Sequence, residues 1–220
     1  MKRFFVLHGL FWANAFLFVV FFIGMVITGA ASYSADQVEH GQPPVSVTEY
    51  LGTGDFMEAT FENWESEFLQ MGSYVVLTVF LFQKGSSESK TPGQKNPQDE
   101  DPRNAKKTTA TPWPVRKGGF VLVLYENSLL ILFAVLFLAS VALHAVGGAA
   151  AYSEDQASHG QPGVTPLEFL GTPEFWFQSF QNWQSEFMVV AVIVLATVYL
   201  RQRGSSQSKP VAVPHTETGT

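Results

Sequence analysis

Several residues in this chain have types and spacings that could do chemistry. Asp36 and His40 are four apart, as are Asp155 and His159. On a helix each pair shares a face, and a carboxylate beside an imidazole can ligate a metal. The same residues also have a structural reading. His-Gly-Gln-Pro is a helix stop, with Gly41 and Gly160 just past the end and Pro43 and Pro162 beyond them. A histidine in the last turn suits the helix dipole. Glu49 and Glu168 could serve as acids, but Ser46-x-x-Glu49 and Thr165-x-x-Glu168 are capping boxes, the second with Pro166 at the first helical position. Thr53 and Thr172 are then placed to cap a following helix.

The sharpest pattern is a polar line, Thr60, Asn63 and Glu67, matched later by Ser179, Asn182 and Glu186. Helical spacing puts each set on one face. The neighbouring Glu58, Glu62 and Glu65 are exchanged for Phe177, Gln181 and Gln184 in the second set, which assigns them to a tolerant, wet face. A carboxylate near bilayer depth is costly and marks an ion path, a proton path or a buried hydrogen bond. The plainer alternative is that Glu67 reaches the headgroup layer. His144 stands inside an apolar run and aligns with Met25. A His/Met pair can hold haem, whereas a histidine in a span more often bonds a neighbouring helix. The chain has no Cys, no nucleophile–base motif, no phosphate-binding glycine loop, no HExxH and no EF-hand loop. An enzyme is not expected, and neither is a cofactor.

The elements that carry these residues follow from hydropathy. Charged residues are 15% of the chain, against roughly 25% in a soluble domain. Residues 10–31 and 129–151 are uncharged runs of 22 and 23 residues, and about 20 suffice to cross a hydrocarbon core of about 30 Å. Two further runs, 68–82 and 187–200, have 15 and 14 residues and become full crossings when extended back to Phe61 and Phe180. Gly24, Gly29, Gly147 and Gly148 predict close packing of the two long spans.

Residues 33–90 align without gaps on 152–209 at a constant offset of 119, with 30 of 58 pairs identical. The expected fold is therefore an all-α integral membrane protein. Four transmembrane helices, about 8–31, 61–83, 127–151 and 180–201, come from two tandem parallel two-span repeats, each with a helical extracytoplasmic loop. Residues 1–84 form the first repeat and 118–209 the second. The linker 85–117 and the tail 210–220 are too polar and proline-rich to bury a core and are predicted to be disordered, with Trp113 as an interfacial anchor. Because the first apolar run has a mid-chain counterpart, it reads as a span and not as a cleaved signal. Two copies entering in the same direction imply a pseudo-two-fold axis along the membrane normal.

Charge orients the chain. All 13 Lys and Arg lie at Lys2 and Arg3, between Lys84 and Lys117, or at Arg201, Arg203 and Lys209; residues 33–68 and 152–187 hold none, but carry 13 of the 19 acids. The positive-inside bias puts both termini and the linker in the cytoplasm and both loops outside.

With its HGQP, NWxSEF and GSSxSK motifs in both halves, the chain resembles an uncharacterised family of small bacterial inner-membrane proteins. The resemblance covers nearly everything outside linker and tail. It implies a duplicated four-span plan, the bacterial cytoplasmic membrane and no assigned activity, and it brings no catalytic residues. The expected partners are the lipid bilayer and another membrane or envelope protein, with no nucleic acid. The leading expectation is a structural or accessory membrane protein. The alternatives are a small cation or proton conductor using Glu67 and Glu186, and a metal or haem binder using Asp36, His40, Asp155, His159, Met25 or His144.

Overall fold

The computed structural model describes residues 7–219, so Lys2 and Arg3 lie outside the described residues. Among these residues every regular element is helical. Helix α1 spans Gly9–Glu39, α2 Val47–Tyr50 and α3 Gly54–Phe80; α4 spans Trp113–Lys117, α5 Gly119–Glu126, α6 Ser128–Ser158, α7 Pro166–Phe169 and α8 Pro173–Tyr199. Short 3-10 turns at Pro97–Asp99 and Pro102–Asn104 interrupt the linker.

Three helices, α1, α6 and α8, are long and apolar enough to cross a membrane. On α1, Phe16, Leu17, Phe18, Val19, Val20 and Phe21 are all exposed. Six consecutive residues go all the way round a helix, and an apolar surface on every side needs lipid rather than water. Helix α3 is as long as α8 but falls short of them, because Asp55, Glu58, Glu62, Glu65 and Glu67 crowd its first half.

The chain divides into two compact units, Met1–Phe61 with Ala142–Trp176, and Glu62–Val141 with Phe177–Thr220. In the first unit the two loops fold alike. Each long helix ends at a glycine with positive φ, Gly41 at 77° and Gly160 at 68°, where only a residue without Cβ is comfortable. The N–H groups of Gln42 and Gln161 then reach back to Gln37 and Gln156 carbonyls, each at 2.8 Å, closing the helix ends as Schellman motifs. Ser34 and Ser153 hold the returning strand of chain by accepting from Val45 and Val164 N–H, both at 2.9 Å. Aromatic rings then stack the loop helix on its neighbours: Tyr33 with Tyr50, and Tyr152 with Phe169, both pairs at 5.7 Å.

The glycines of the long helices serve a different contact from the one the sequence predicts. Gly24 has open space beside it, and Gly29 faces the Tyr50 ring. Gly147 lies against the backbone of Met57 and Glu58, and Gly54 against Gly147 and Ala151. Small residues here seat the start of α3 and the loop helices, rather than the two long spans on each other.

In the second unit the repeated GSSxSK segments form matching turns. Gln83 N–H donates to Ser89 Oγ at 3.0 Å, and Gln202 N–H to Ser208 Oγ at 2.9 Å. The composition of linker and tail gives them no apolar core; among the described residues they make hydrogen bonds both locally and with each other. Lys209 is 1% exposed, and its ammonium donates to the carbonyls of Pro214, His215 and Glu217. Thr218 Oγ1 accepts from Gly85 N–H at 2.8 Å. Trp113, half its surface exposed, has Lys117 Nζ 4.9 Å above its ring.

Candidate functional site

The loop acids are built into the caps of their helices. Both capping boxes form: Ser46 and Thr165 accept from the N–H of Glu49 and Glu168, whose carboxylates accept in turn from Ser46 and Thr165 N–H, both at 2.8 Å. The Ser46 hydroxyl and N–H hold the Glu49 carboxyl below its ordinary range, and the Thr165 N–H and hydroxyl do the same for Glu168. Thr53 and Thr172 accept from the N–H groups of Phe56 and Phe175, at 3.2 and 3.3 Å, and so cap α3 and α8.

Ser46→Ala and Thr165→Ala should each lower stability by about 1 kcal/mol, read by thermal unfolding in detergent. A carboxyl with a lowered folded-state pKa contributes fully above its unfolded value, near about 4.3, and loses that contribution as pH falls through the folded value. The penalty of either mutation should therefore shrink in acid. A deficit that persists unchanged there would mean that the glutamates take no part in the box.

His40 Nδ1 lies 2.9 Å from the Asp36 carbonyl and 3.7 Å from its carboxylate; His159 repeats this on Asp155 at 3.0 and 3.9 Å. All four side chains are exposed. The Asp36 carbonyl and then its charge raise the His40 pKa. Among the described residues no group of three or more His, Cys, Asp or Glu is arranged to hold a metal ion.

One acidic cavity does gather loop residues. It has a volume of 690 Å³ in the first unit, and its wall includes Tyr33, Asp36, His40, Asp55, Glu154 and Asp155, with no Lys or Arg. Glu154 accepts from Tyr33 Oη at 2.9 Å and from Gln37 Nε2 at 2.7 Å. Burial, and then the neighbouring Glu154 and Asp36 charges, raise the Asp55 pKa against the lowering effect of the Tyr50 hydroxyl; burial and Asp55 push Tyr50 up to about 12. Glu154 stands where the first copy has Ala35, so a search for residues common to both copies passes over it.

His144 is fully buried. Its ring lies 4.8 Å from that of Phe175 and 6.3 Å from that of Phe169, so aromatic side chains occupy its surroundings. Met25 is half-buried on α1.

The polar line does not form one buried face. Thr60 is buried, with its hydroxyl lacking a hydrogen-bond partner, and Ser179 is buried, but Asn63 and Glu67 are exposed and Asn182 and Glu186 half-buried. The buried carboxylate is Glu65, at 0% exposure, on the face that the sequence reading assigned to water. Its Oε1 accepts from Ser179 Oγ at 2.8 Å and from Trp183 Nε1 at 3.2 Å. Glu65 and Glu67 are two residues apart, about 200° around a helix of 3.6 residues per turn, so they point to nearly opposite sides. Donation from a hydroxyl and an indole makes Glu65 a joint between α3 and α8.

No curated protein and no solved structure matches the chain. A family model described as a domain of unknown function, DUF6766, matches residues 1–220, and the chain belongs to that family.

Proposed function

We propose that the chain is a four-span accessory protein of the bacterial cytoplasmic membrane, with linker and both termini inside. Its two loops form a small extracytoplasmic cap that receives a basic group of a partner protein. The observation that carries this reading is the acidic cavity of the loops: carboxylates from both copies share one wall that holds no Lys or Arg, which favours a positively charged visitor. The exposure of Glu67 and the bonding of Glu65 by Ser179 and Trp183 support a structural part for the helical acids over ion conduction. The crowding of His144 by Phe169 and Phe175 favours packing over haem ligation. For α3, the Ser179 and Trp183 donors to Glu65 lower the cost of crossing, since a buried polar group is tolerated when it is hydrogen-bonded within the protein.

Topology is tested by single cysteines in this cysteine-free chain. Those at Ser46 and Thr165 should label from outside, and those at Gly93 and Thr218 should not. Outside labelling at Gly93 overturns the four-span arrangement. Partner binding is tested by Asp36→Asn with Asp155→Asn, two exposed positions. The pair should abolish a specific co-purifying protein from native membranes while thermal unfolding stays unchanged. An unaltered set of co-purifying proteins counts against the acidic cavity.

A further inference from the structure

The second unit contains an apolar cavity of 420 Å³ walled by α3, α6 and α8, with Phe68, Gly72 and Leu77, Leu130 and Phe137, and Phe187 among its residues. Gly72 and Ser73, both in the wall, stand where the second copy has the larger Ala191 and Val192. Gly72 itself is buried, and a Cβ there would come 3.2 Å from Phe133 Cβ. Large side chains of α6 thus meet α3 where α3 is thinnest.

The cavity has the length of one leaflet. From Phe68 to Leu77 the wall rises about 13.5 Å along α3 at 1.5 Å per residue, close to the roughly 15 Å that each leaflet contributes to the hydrocarbon core. Helices α3 and α8 end at Phe80 and Tyr199, and α6 starts at Ser128, all on the linker side. Counting inward along a crossing of about 20 residues puts Phe68, Phe137 and Phe187 near mid-depth, and Leu77 and Leu130 near the linker-side surface. A helix of that length, about 10 Å across, would need more than twice the volume. A chain of methylenes is slim enough.

We propose that this cavity holds one acyl chain of a phospholipid drawn from the linker-side leaflet. The lipid fills the cavity as a fixed part of the fold. The inference rests on the four-span reading above, because α3 must lie in the bilayer for the cavity to meet lipid.

The test uses the full chain extracted in mild detergent, with native mass spectrometry to count bound phospholipid. The parent should retain one phospholipid per chain. Ala134→Phe, which fills the wall from α6, should lose it. Leu132→Phe, at an exposed neighbour outside the wall, should keep it. Ser73→Val, copying the second repeat at Val192, is a milder filling that should also lose the lipid if Ala134→Phe fails to fold. Retention at the parent's level in both filled variants overturns the proposal. So does a lipid-free parent dimer that Ala134→Phe dissociates, since a second copy then occupies the cavity. Outside labelling at Gly93→Cys would remove the four-span reading as well. Correct topology with lipid retained in the filled variants would remove the acyl-chain site alone.

Discussion

Glu65→Leu should destabilise the protein by about 3 kcal/mol, because hydrogen bonds to a charged group contribute roughly 1.5–3 kcal/mol each and their loss strands buried donors. The donors are the Ser179 hydroxyl, itself buried, and the Trp183 indole N–H, which both point at Oε1 of Glu65. Leucine fills the volume and accepts nothing. Glu65→Gln keeps a carbonyl for those donors but loses the charge and adds an N–H₂ group, so it should cost about 1 kcal/mol. In a double-mutant cycle, Glu65→Gln with Ser179→Ala should show a coupling of about 1 kcal/mol, within the range measured for hydrogen bonds between membrane helices. Glu67→Leu, at an exposed site, should stay within about 0.5 kcal/mol of the parent. Thermal and denaturant unfolding in one detergent would rank all five variants, the Ser179→Ala single and the double mutant included. A silent Glu65→Leu beside a damaging Glu67→Leu would return the critical carboxylate to the polar line.

That contrast locates the limit of the sequence. Helix ends were legible because each is written locally: a hydroxyl three residues before a glutamate, or a glycine before a proline. The structure shows both capping boxes and both glycine stops where those patterns fall. The apolar runs of α1 and α6 were legible for the same reason, since one segment's composition decides them. Contacts between the copies were not. Selecting residues that both copies retain singled out Glu67 with Glu186, yet where the copies touch each other complementarity counts more than identity. Glu65 is met by a hydroxyl and an indole, Ser179 and Trp183, on the other copy. Its counterpart is Gln184, so identity between the copies does not mark it. Identity does not mark Glu154 either, because Tyr33 and Gln37 of the first copy bind it and the first copy itself has Ala35 there. Spacing of the glycines along α6 shows that something approaches closely, and only the fold shows that it is the start of α3.

Gly147→Ala should be among the most damaging single substitutions in the chain, although alanine suits a helix interior better than glycine by about 1 kcal/mol. A Cβ at Gly147 would lie 2.6 Å from Glu58 N and 2.6 Å from Met57 Cβ, so the obstacle includes backbone that no rotamer change can move. From the other side, a Cβ at Gly54 would lie 2.6 Å from Ala151 N and 2.7 Å from the Gly147 carbonyl oxygen. Forcing extra atoms into such a contact costs about 1–3 kcal/mol and sometimes more, which outweighs the propensity gain. Gly24→Ala provides the control. It also lies within a long helix, but with nothing within 4 Å of its would-be Cβ, so alanine there should leave stability unchanged or raise it. The two contact variants strain the same crossing, so Gly54→Ala with Gly147→Ala should cost less than their separate effects added. Unfolding temperature and the folded fraction on size exclusion would measure all of these. A Gly147→Ala protein as stable as Gly24→Ala would mean that α3 does not seat on α6 through these glycines. If the penalty appears, the start of α3 is held to α6 backbone against backbone, and the cap threonine Thr53 and the loop helix before it inherit their position from that contact.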